Sequence, residues 1–370
     1  MIQDIFIIGA NGNVGSTLVK QIYERGDSDP GLHKNPTRIV GVASVNSFHY
    51  DPLGLTRDFC YSFANEKSGT GNYDLSELIK CVQNSDRNCN PLTFIDITAA
   101  REPMKDFHLR VIDETPYGIV TSNKNPLTMV DNATFAHLVK NVCRYGFRCS
   151  VMAGANALDE IMDFRDLGDP VRSIQGCFSG TNGYICSELE NEVSFSEVVR
   201  KAKNMGYTEP HPGEDLSGKD VAKKILILTR TAGFDVNMDD VQIDPLIPYR
   251  YLDISDVSKF MSRLPELDNY FSELVSQAKK RGEVLKYVAS MSANSDGRVQ
   301  LYVSPKLVKK NSPLGALEGT LNKIVIITNT YTPEKPCIIE APGAGLEVTA
   351  QNVRRDLLNQ LPNRTVNFRK

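Results

Sequence analysis

The sequence lacks long apolar runs, closely spaced cysteines and any excess of charge of one sign. Its longest apolar runs, residues 5–8 and 225–228, are far shorter than the roughly 20 residues of a membrane-spanning helix. No basic segment follows Met1, so no signal peptide is predicted. With 42 basic and 45 acidic residues the net charge is −3, which offers no general attraction to nucleic acid or to a membrane surface.

The eight cysteines form no C-x-x-C pair and show no metal-ligand spacing, which is typical of a reduced intracellular protein. A hydrophobic content of 41% with 24% charged residues is that of a globular chain. At roughly 150 residues per domain, the length of 370 residues predicts two domains. We therefore expect a cytoplasmic protein with two globular domains.

Short apolar strands alternate with amphipathic helices over residues 1–150. Predicted strands cover residues 4–8, 38–43, 92–97, 118–121 and 147–152, and predicted helices cover 14–25, 75–83, 103–114 and 132–144. This alternation predicts an α/β domain with a mainly parallel sheet. Residues 46–71 are rich in Gly, Ser, Asp and Asn and are predicted to be a long loop.

Residues 151–340 have a different pattern, in which helices dominate first and strands follow. Helices are predicted within 158–231, notably at 195–205 and 219–230, and again at 267–281. Strands are predicted at 284–290, 299–304 and 323–330, with a connection at 244–255 that is rich in Pro, Asp and Tyr. This order predicts a second, α+β domain. A last helical pattern begins at Val348.

A glycine-rich turn follows the first predicted strand and opens the first helix. It contains Gly9, Gly12 and Gly15, with Asn13 and Val14 between the last two. Glycines let a backbone approach a pyrophosphate, and the amides and dipole of a helix N-terminus favour its charge. The spacing G-x-x-G-x-x-G is one residue longer than the usual form. The context predicts a Rossmann-type, doubly wound dinucleotide-binding domain, and the alternative is a glycine turn without a ligand.

The end of the second predicted strand carries neither an acid for a ribose 2′-hydroxyl nor an arginine for a 2′-phosphate; it reads Ser44-Val45-Asn46-Ser47. The choice between NAD and NADP therefore stays open. Two further strand ends carry Thr98 and Lys124, and ligands of such sheets bind at this edge. The alternatives are a capping role for Thr98 and a solvated loop position for Lys124.

The predicted helix at 219–230 places one lysine on its apolar face. Ser217 and Asp220 have capping-box spacing, and Asp220 lies one turn before Lys224. Lys224 falls between two apolar positions, whereas Lys219, Lys223 and Arg230 share another side that we expect to be solvated. A buried lysine requires a partner, and Asp220 supplies one. The alternatives are a helix cap at Asp220 and a snorkelling side chain at Lys224.

Glu209 and Asp215 precede this helix in a loop that also contains His211 between two prolines. Acids in such a loop suit a ligand with an amino group, although solvated loop acids are more common. We expect His211 to be structural or exposed.

Several segments together resemble the homoserine dehydrogenase family: Ser179-Gly180-Thr181, residues 206–210 (Gly-Tyr-Thr-Glu-Pro), 215–218, 220–224, Asn123-Lys124 and 342–345. The resemblance extends from the glycine loop to about Leu361. It implies reversible reduction of L-aspartate 4-semialdehyde to L-homoserine with NAD or NADP, a step toward threonine, methionine and isoleucine. It also implies a homodimer formed through residues 151–340, and a C-terminal helical segment, 341–370, that returns to the dinucleotide-binding domain.

By this resemblance each candidate residue receives a role. The catalytic residues are Lys224, Asp220 and Lys124. The substrate-binding residues are Glu209, Asp215, Asp220, Thr181 and Tyr207. The cofactor-binding residues are Gly9, Gly12, Asn13, Val14, Gly15, Thr98, Lys124, Gly206 and Gly343.

Two further departures from the family pattern bear on the site. His211 stands where the family often has aspartate. Arg148 replaces a glutamate that helps to hold a monovalent cation, which leaves only the backbone carbonyls of Val151, Ala153 and Ala155 as ligands. The replacement argues against a bound cation.

Two rival functions remain open. An aspartate semialdehyde dehydrogenase would need a cysteine nucleophile with a base. Cys177 and Cys149 are available, but neither has a histidine partner that the sequence identifies. A non-catalytic dinucleotide-binding protein is the second rival, motivated by Arg148 and the altered glycine loop.

Overall fold

The chain folds as two units, and the first is built from both ends of the sequence. A computed structural model describes residues 2–33, 35–66, 73–85, 90–294 and 296–361. Unit 1 comprises Met1–Gly154 and Ala344–Lys370, and unit 2 comprises Ala155–Gly343. No helix in these described stretches has the length and apolarity needed to cross a membrane.

Unit 1 contains a twisted sheet whose strands are almost all parallel. The described strands are β1 (Gln3–Ile8), β2 (Thr37–Ala43), β3 (Phe48–Tyr50), β4 (Leu92–Asp96), β5 (Gly118–Thr121) and β6 (Tyr145–Gly146). Their order is β3-β2-β1-β4-β5-β6, and only the edge strand β3 is antiparallel to its neighbour. The order reverses beside β1, as in doubly wound folds. The Rossmann-type prediction is confirmed.

The helices of unit 1 follow the predicted alternation with its strands. They are α1 (Asn13–Glu24), α2 (Arg57–Asn65), α3 (Leu75–Gln83), α4 (Glu102–Glu114), α5 (Asn125–Thr128) and α6 (Asn132–Val139). The predicted helix at 132–144 therefore ends early, at Val139. Beyond it the guanidinium of Arg144 donates to the carbonyls of Thr115 and Tyr117, at 2.6 and 2.9 Å.

The predicted loop at 46–71 is wrong at two segments, which form a strand and a helix. Phe48–Tyr50 pairs with Gly41–Ala43, and Arg57–Asn65 is helical. The helix forms because Thr56 caps it through the Phe59 amide and because Cys60 and Phe63 bury one face in the core. Residues 67–71 lie outside the described part of the chain.

Unit 2 packs helices against a mostly antiparallel sheet, so the α+β prediction is confirmed. The helices are α7 (Ala157–Asp166), α8 (Gly180–Glu190), α9 (Phe195–Asn204), α10 (Gly213–Leu216), α11 (Lys219–Thr231), α12 (Tyr249–Leu252), α13 (Val257–Arg263) and α14 (Asp268–Lys280). The strands are β7 (Ser173–Cys177), β8 (Val241–Ile243), β9 (Glu283–Ala293), β10 (Val299–Lys309), β11 (Leu321–Ile327) and β12 (Cys337–Pro342). The order is β12-β11-β7-β9-β10-β8.

Three strands of unit 2 were not predicted. β7 lies between β11 and β9, where a side chain on Gly176 would meet the ring of Phe178 at 2.4 Å. β8 and β12 are short edge strands with half-exposed residues. β8 has only three residues and none of the six residues of β12 is buried, so neither strand gives a strong apolar signal in the sequence.

The last helix, α15 (Leu346–Asn359), belongs to unit 1. The Asp356 carboxylate is fully buried and accepts from the Arg148 backbone N–H and guanidinium, both at 3.0 Å. Asn352 and Arg355 donate to the carbonyls of Ala153 and Gly154, at 2.8 and 2.6 Å. α15 is therefore bound to unit 1 by buried charge and by hydrogen bonds.

These contacts explain why the predicted strand at 147–152 is wrong. Arg148–Ser150 is a 3-10 turn, and Met152 and Ala153 both have a φ of 50°. The Arg148 N–H bonds to Asp356 of α15, and the amides of Ser150 and Val151 bond within the turn to the carbonyls of Phe147 and Arg148, so these groups are not paired in the sheet. The ladder stops at Tyr145–Gly146.

We expect Arg148→Ala to lower the free energy of unfolding by about 3–5 kcal/mol, because it leaves the Asp356 carboxylate buried without its partner. Urea titration followed by circular dichroism measures the loss. The control is Arg25→Ala, which breaks the exposed 3.5 Å pair with Glu347 on the same helix and should cost less than about 1 kcal/mol. Equal losses in the two variants would contradict this account.

Candidate active site

The glycine turn of unit 1 leaves the end of β1 and starts α1. Gly9 has a φ of 91°, and its N–H and that of Ala10 donate to the Ala43 carbonyl at 2.8 and 3.0 Å. A Cβ on Gly15 would lie 2.1 Å from the Gly9 carbonyl oxygen, so glycine lets the helix start against the turn. Gly9 and Gly15 are thus required by backbone conformation and by close approach.

The start of α1 fits an anionic ligand. Gly12 is its N-cap, no side chain occupies the cap, and the first turn contains no acid. Gly12 and Asn13 are exposed and Val14 is half-exposed. The amides of a first helical turn lack intrahelical partners, so they can bind a pyrophosphate. The predicted cofactor residues of this turn therefore share one accessible surface.

The turn after β2 is held by its own first residue. The Ser44 hydroxyl accepts from the amides of Asn46 and Ser47, at 3.3 and 3.2 Å, and its carbonyl accepts from the Tyr73 hydroxyl at 2.7 Å. Val45 is 82% exposed. None of the four side chains of this turn carries a charge, so nothing in the turn selects a 2′-hydroxyl or a 2′-phosphate.

A buried carboxylate organises the strand ends beside the glycine turn. Asp96, at the end of β4, accepts from the amide and hydroxyl of Thr98, at 3.0 and 2.7 Å, and from the Asn123 side-chain amide at 3.0 Å. The Thr98 methyl lies 3.2 Å from where a Cβ on Gly9 would be. Asp96 therefore fixes Thr98 against the glycine turn and fixes the residue before Lys124.

Sequence reasoning missed His108, which lies behind Asp96 on α4. It is fully buried, its Nδ1 lies 2.7 Å from the Tyr145 hydroxyl, and its Nε2 lies 3.2 Å from Asp96 Oδ2 without the alignment of a hydrogen bond. The signal was present, because His108 shares the helical stripe of Met104 and Val111. A polar side chain on such a stripe indicates a buried partner.

In unit 2 the ammonium of Lys224 is buried and paired. Its Nζ lies 2.8 Å from Asp220 Oδ2 and donates to the Phe178 carbonyl at 2.6 Å. Lys224 is 8% exposed, whereas Lys219 on the same helix is exposed. The predicted burial of Lys224 and its pairing with Asp220 are confirmed.

Two other expectations for this helix are wrong. The N-cap of α11 is Gly218, with a φ of 75°, and not Ser217, whose hydroxyl donates to the Glu214 carbonyl and accepts the Lys219 N–H at 3.4 Å. A Cβ on Gly218 would lie 2.0 Å from the Tyr287 hydroxyl, so packing fixes this residue. Arg230 is 4% exposed because its guanidinium donates to the Val236 carbonyl at 2.8 Å.

The predicted substrate residues of unit 2 lie together around one carboxylate. Asp215 accepts from the Glu209 backbone N–H at 2.8 Å, and its other oxygen lies 3.0 Å from the Thr181 hydroxyl. The Thr181 hydroxyl also lies 2.5 Å from the Tyr207 carbonyl. Burial raises the pKa of Asp215 to about 6, and the nearby carboxylates of Glu209 and Asp220 add to this effect.

Hydrogen bonds from the Glu209 N–H and the Thr181 hydroxyl lower the pKa of Asp215 against the larger effect of burial, and the one from Thr181 is shared with a second acceptor. A hydroxyl donates one hydrogen, yet Thr181 faces two acceptors, the Tyr207 carbonyl and the Asp215 carboxylate. Both contacts are satisfied together only when Asp215 carries a proton and donates it. The site therefore favours a proton, or another positive donor, at Asp215.

Gly206 and Gly343 have clear structural reasons to be glycine. Gly206, with a φ of 72°, ends α9 through a bond from its N–H to the Lys203 carbonyl. A Cβ on Gly343 would lie 2.0 Å from the buried Asn322 side chain. A cofactor role for either remains a prediction.

The three carbonyls suggested for a cation already accept hydrogen bonds. Val151 accepts from Gly154 at 3.1 Å, Ala153 from Asn352 at 2.8 Å, and, in unit 2, Ala155 from Ala157 at 2.7 Å. No cluster of three or more His, Cys, Asp or Glu side chains suited to a metal ion occurs in the described part of the chain. Arg148 is bound to Asp356.

The two cysteines considered as nucleophiles are poorly suited to that role. Burial raises the pKa of Cys177 to about 12 and that of Cys149 well above its usual range. Cys149 also donates to the Thr349 carbonyl at 3.6 Å. A catalytic cysteine needs a lowered pKa and access to substrate, so this geometry argues against the semialdehyde dehydrogenase alternative.

Comparison with known proteins finds relatives over nearly the full chain. The homoserine dehydrogenase family model matches residues 158–358. A homoserine dehydrogenase of Saccharomyces cerevisiae is 30% identical over 364 residues, which are 96% of this chain and 97% of the yeast protein. A bifunctional aspartokinase/homoserine dehydrogenase of Buchnera aphidicola is 32% identical over 96% of this chain. The chain spans only 42% of that bifunctional protein.

Solved structures show the same fold. A Candida auris protein of unknown function is 27% identical with a TM-score of 0.83, covering 97% of this chain and 98% of its own. A putative homoserine dehydrogenase from Archaeoglobus fulgidus is 21% identical with a TM-score of 0.74, covering 96% of this chain and 98% of its own. The family match and the near full-length yeast relative show that this chain belongs to the homoserine dehydrogenase family.

Proposed function

We propose that the chain catalyses the reversible, NAD(P)-dependent reduction of L-aspartate 4-semialdehyde to L-homoserine. The observation that carries this proposal is the buried ammonium of Lys224, held by Asp220 on the helix that follows the acidic loop. Lys286 and Lys323 are also buried and paired, but only the partner of Lys224 among these three, Asp220, lies close enough to Asp215 to raise its pKa, which places Lys224 beside the acidic residues. The yeast relative, which the chain matches over 97% of its length, is a homoserine dehydrogenase.

The dinucleotide belongs to unit 1. Gly9, Gly12, Asn13, Val14 and Gly15 would hold the pyrophosphate, because the turn has close backbone approach, exposed amides and no acid. Thr98 and Lys124, at the ends of β4 and β5, would hold the nicotinamide end. When bound, the nicotinamide supplies the hydride chemistry.

The amino acid belongs to the acidic loop of unit 2, Gly206–Gly218. Homoserine is a zwitterion, so its ammonium requires carboxylates, which Glu209 and Asp215 supply. A substrate ammonium would replace the proton that Asp215 favours and would leave the Thr181 hydroxyl, 3.0 Å from that carboxylate, free to donate to the Tyr207 carbonyl. The ammonium of the ligand thus offsets the desolvation penalty of the buried Asp215 carboxylate.

Lys224 is suited to move a proton at the substrate oxygen. Its ammonium has three N–H donors, of which two face Asp220 and the Phe178 carbonyl among the described residues. The third can be donated to the oxygen as the aldehyde becomes an alcohol. In the reverse direction neutral Lys224 takes the proton from the hydroxyl.

The purified chain should oxidise L-homoserine with NAD and with NADP, and the two values of kcat/KM should differ by less than about tenfold. Larger discrimination needs an interaction of more than about 1.4 kcal/mol, and the turn at 44–47 offers no charged group to supply it. Turnover measured separately with each dinucleotide tests this. Dinucleotide binding without turnover would favour the non-catalytic alternative, and phosphate-dependent oxidation of the semialdehyde would favour the other rival.

The same assay tests for a cation. We expect equal turnover, within about twofold, in sodium, potassium and choline chloride at one ionic strength, since Arg148 stands in place of an acid and the three carbonyls suggested as ligands already accept hydrogen bonds. Saturable activation by one metal cation but not by choline would contradict the expectation.

Lys224→Ala should lower kcat by about 10²-fold or more, the usual scale for a positioned acid or base. Dinucleotide affinity should be unchanged, because the glycine turn lies in unit 1. Steady-state kinetics and dinucleotide titration give the two numbers. Lys219→Ala is the matched control, since Lys219 is an exposed lysine of the same helix; similar losses of kcat in both variants would refute the role given to Lys224.

The affinity for homoserine should decrease as the pH is lowered below about 6. Burial raises the pKa of Asp215 to about 6, and a protonated carboxyl no longer attracts an ammonium. The sign is fixed: Asp215 is charged above this pH and neutral below it, so KM should rise about tenfold per pH unit on the acid side. A pH series of KM measures the effect.

Asp215→Asn should raise KM at pH 8 and abolish its acid dependence near pH 6. Glu214→Gln, at the exposed neighbouring carboxylate, should change neither. An acid dependence that survives in Asp215→Asn would assign it to another group.

A further inference from the structure

His211 uses both ring nitrogens in the structure. Its Nδ1 lies 3.1 Å from the Gly213 amide nitrogen and accepts that N–H. Its Nε2 lies 2.8 Å from the Ile254 carbonyl oxygen, which can only accept, so Nε2 carries the hydrogen. The two partners assign a neutral imidazole with one donor and one acceptor nitrogen.

Packing leaves the His211 ring little freedom. The ring lies 4.8 Å from that of Phe260, which is fully buried in α13. A Cβ on Gly213 would come within 2.9 Å of the imidazole, so the loop passes close beneath the ring. Pro210 and Pro212 restrict the backbone on either side. The ring is a fixed connection between the acidic loop and residues 254–260.

The hydrogen bond from Gly213 to His211 lies two residues before Asp215, one of the two carboxylates of the acidic loop. Gly213 opens α10, the single turn that carries Asp215, and Asp215 in turn accepts the Glu209 amide. Glu209 itself is exposed. Displacement of the Gly213 amide would shift Asp215 and, through its hydrogen bond, the Glu209 backbone.

We propose that His211 is a positioning residue that holds Glu209 and Asp215 in the arrangement that binds the substrate ammonium. It links the Gly213 amide to the Ile254 carbonyl, so the hydrogen bonds of both ring nitrogens are required. The proposal rests on the function proposed above for these two acids, and it gives a role to the residue by which this chain departs from the family pattern.

Three substitutions separate the two ends. His211→Asn retains an acceptor near the position of Nδ1, His211→Gln retains a donor near that of Nε2, and His211→Ala retains neither. Loss of either hydrogen bond breaks the link between the acidic loop and Ile254. We therefore expect all three substitutions to raise KM for L-homoserine by about tenfold, the scale of one or two lost hydrogen bonds. The value of kcat and the dinucleotide Kd should stay within about twofold.

A merely structural histidine would give a different result. Parallel losses of kcat, dinucleotide affinity and Tm, or an unchanged KM in the Asn or Gln variant, would overturn the proposal. Glu214→Gln, in the same loop, is the control and should leave KM unchanged.

Amide hydrogen exchange tests the link through His211 without an activity assay. Peptides covering the acidic loop should exchange faster in all three His211 variants, and those covering the glycine turn should not. Absence of this difference would overturn the positioning role of His211. Failure of the proposed function would show separately, as an unsubstituted chain that does not oxidise homoserine.

Discussion

Unit 1 depends on one buried ion pair, Arg148–Asp356, which joins the two separate parts of its sequence. Burial raises the pKa of Asp356 to about 6, while the guanidinium opposes that rise, so each charge is tolerable only in the presence of the other. With α15 held in place, its Asn352 and Arg355 side chains bond the carbonyls of Ala153 and Gly154, in the segment that follows the sheet. A contact between residues 208 positions apart thus holds the chain directly after β6.

Two carboxylates show how the same side chain serves architecture in one unit and, in the function we propose, binds substrate in the other. Asp96 is buried and receives donors from Thr98 and Asn123, so it has no need of a ligand. Asp215 shares one hydroxyl hydrogen with a competing carbonyl, and its pKa is raised to about 6. A carboxylate left short of donors in its own fold is prepared to accept a cationic one from outside.

The sequence predicted what depends on short-range pattern. The strand-turn-helix around the glycines and the burial of Lys224 both follow from periodicity. The failures depend on distant partners: Arg230 is buried because Val236 offers a carbonyl, and the strand predicted at 147–152 is replaced by contacts with a helix 200 residues later. His108 could have been identified as a polar residue on an apolar stripe. The hydrogen bond from His211 to Ile254 could not, since Ile254 is remote in sequence.

The discontinuity of unit 1 also has a consequence for biosynthesis. Residues 1–154 leave the ribosome before the whole of unit 2, and α15 follows only after it. At about 5–20 residues per second, the first sheet waits on the order of 10–40 s for the helix that covers it. During that time the core of unit 1 lacks Ala350, Val353 and Leu357, the three residues that α15 adds to it. The nascent chain therefore has a defined period of exposure in which unit 2 can finish folding while unit 1 still needs protection from aggregation.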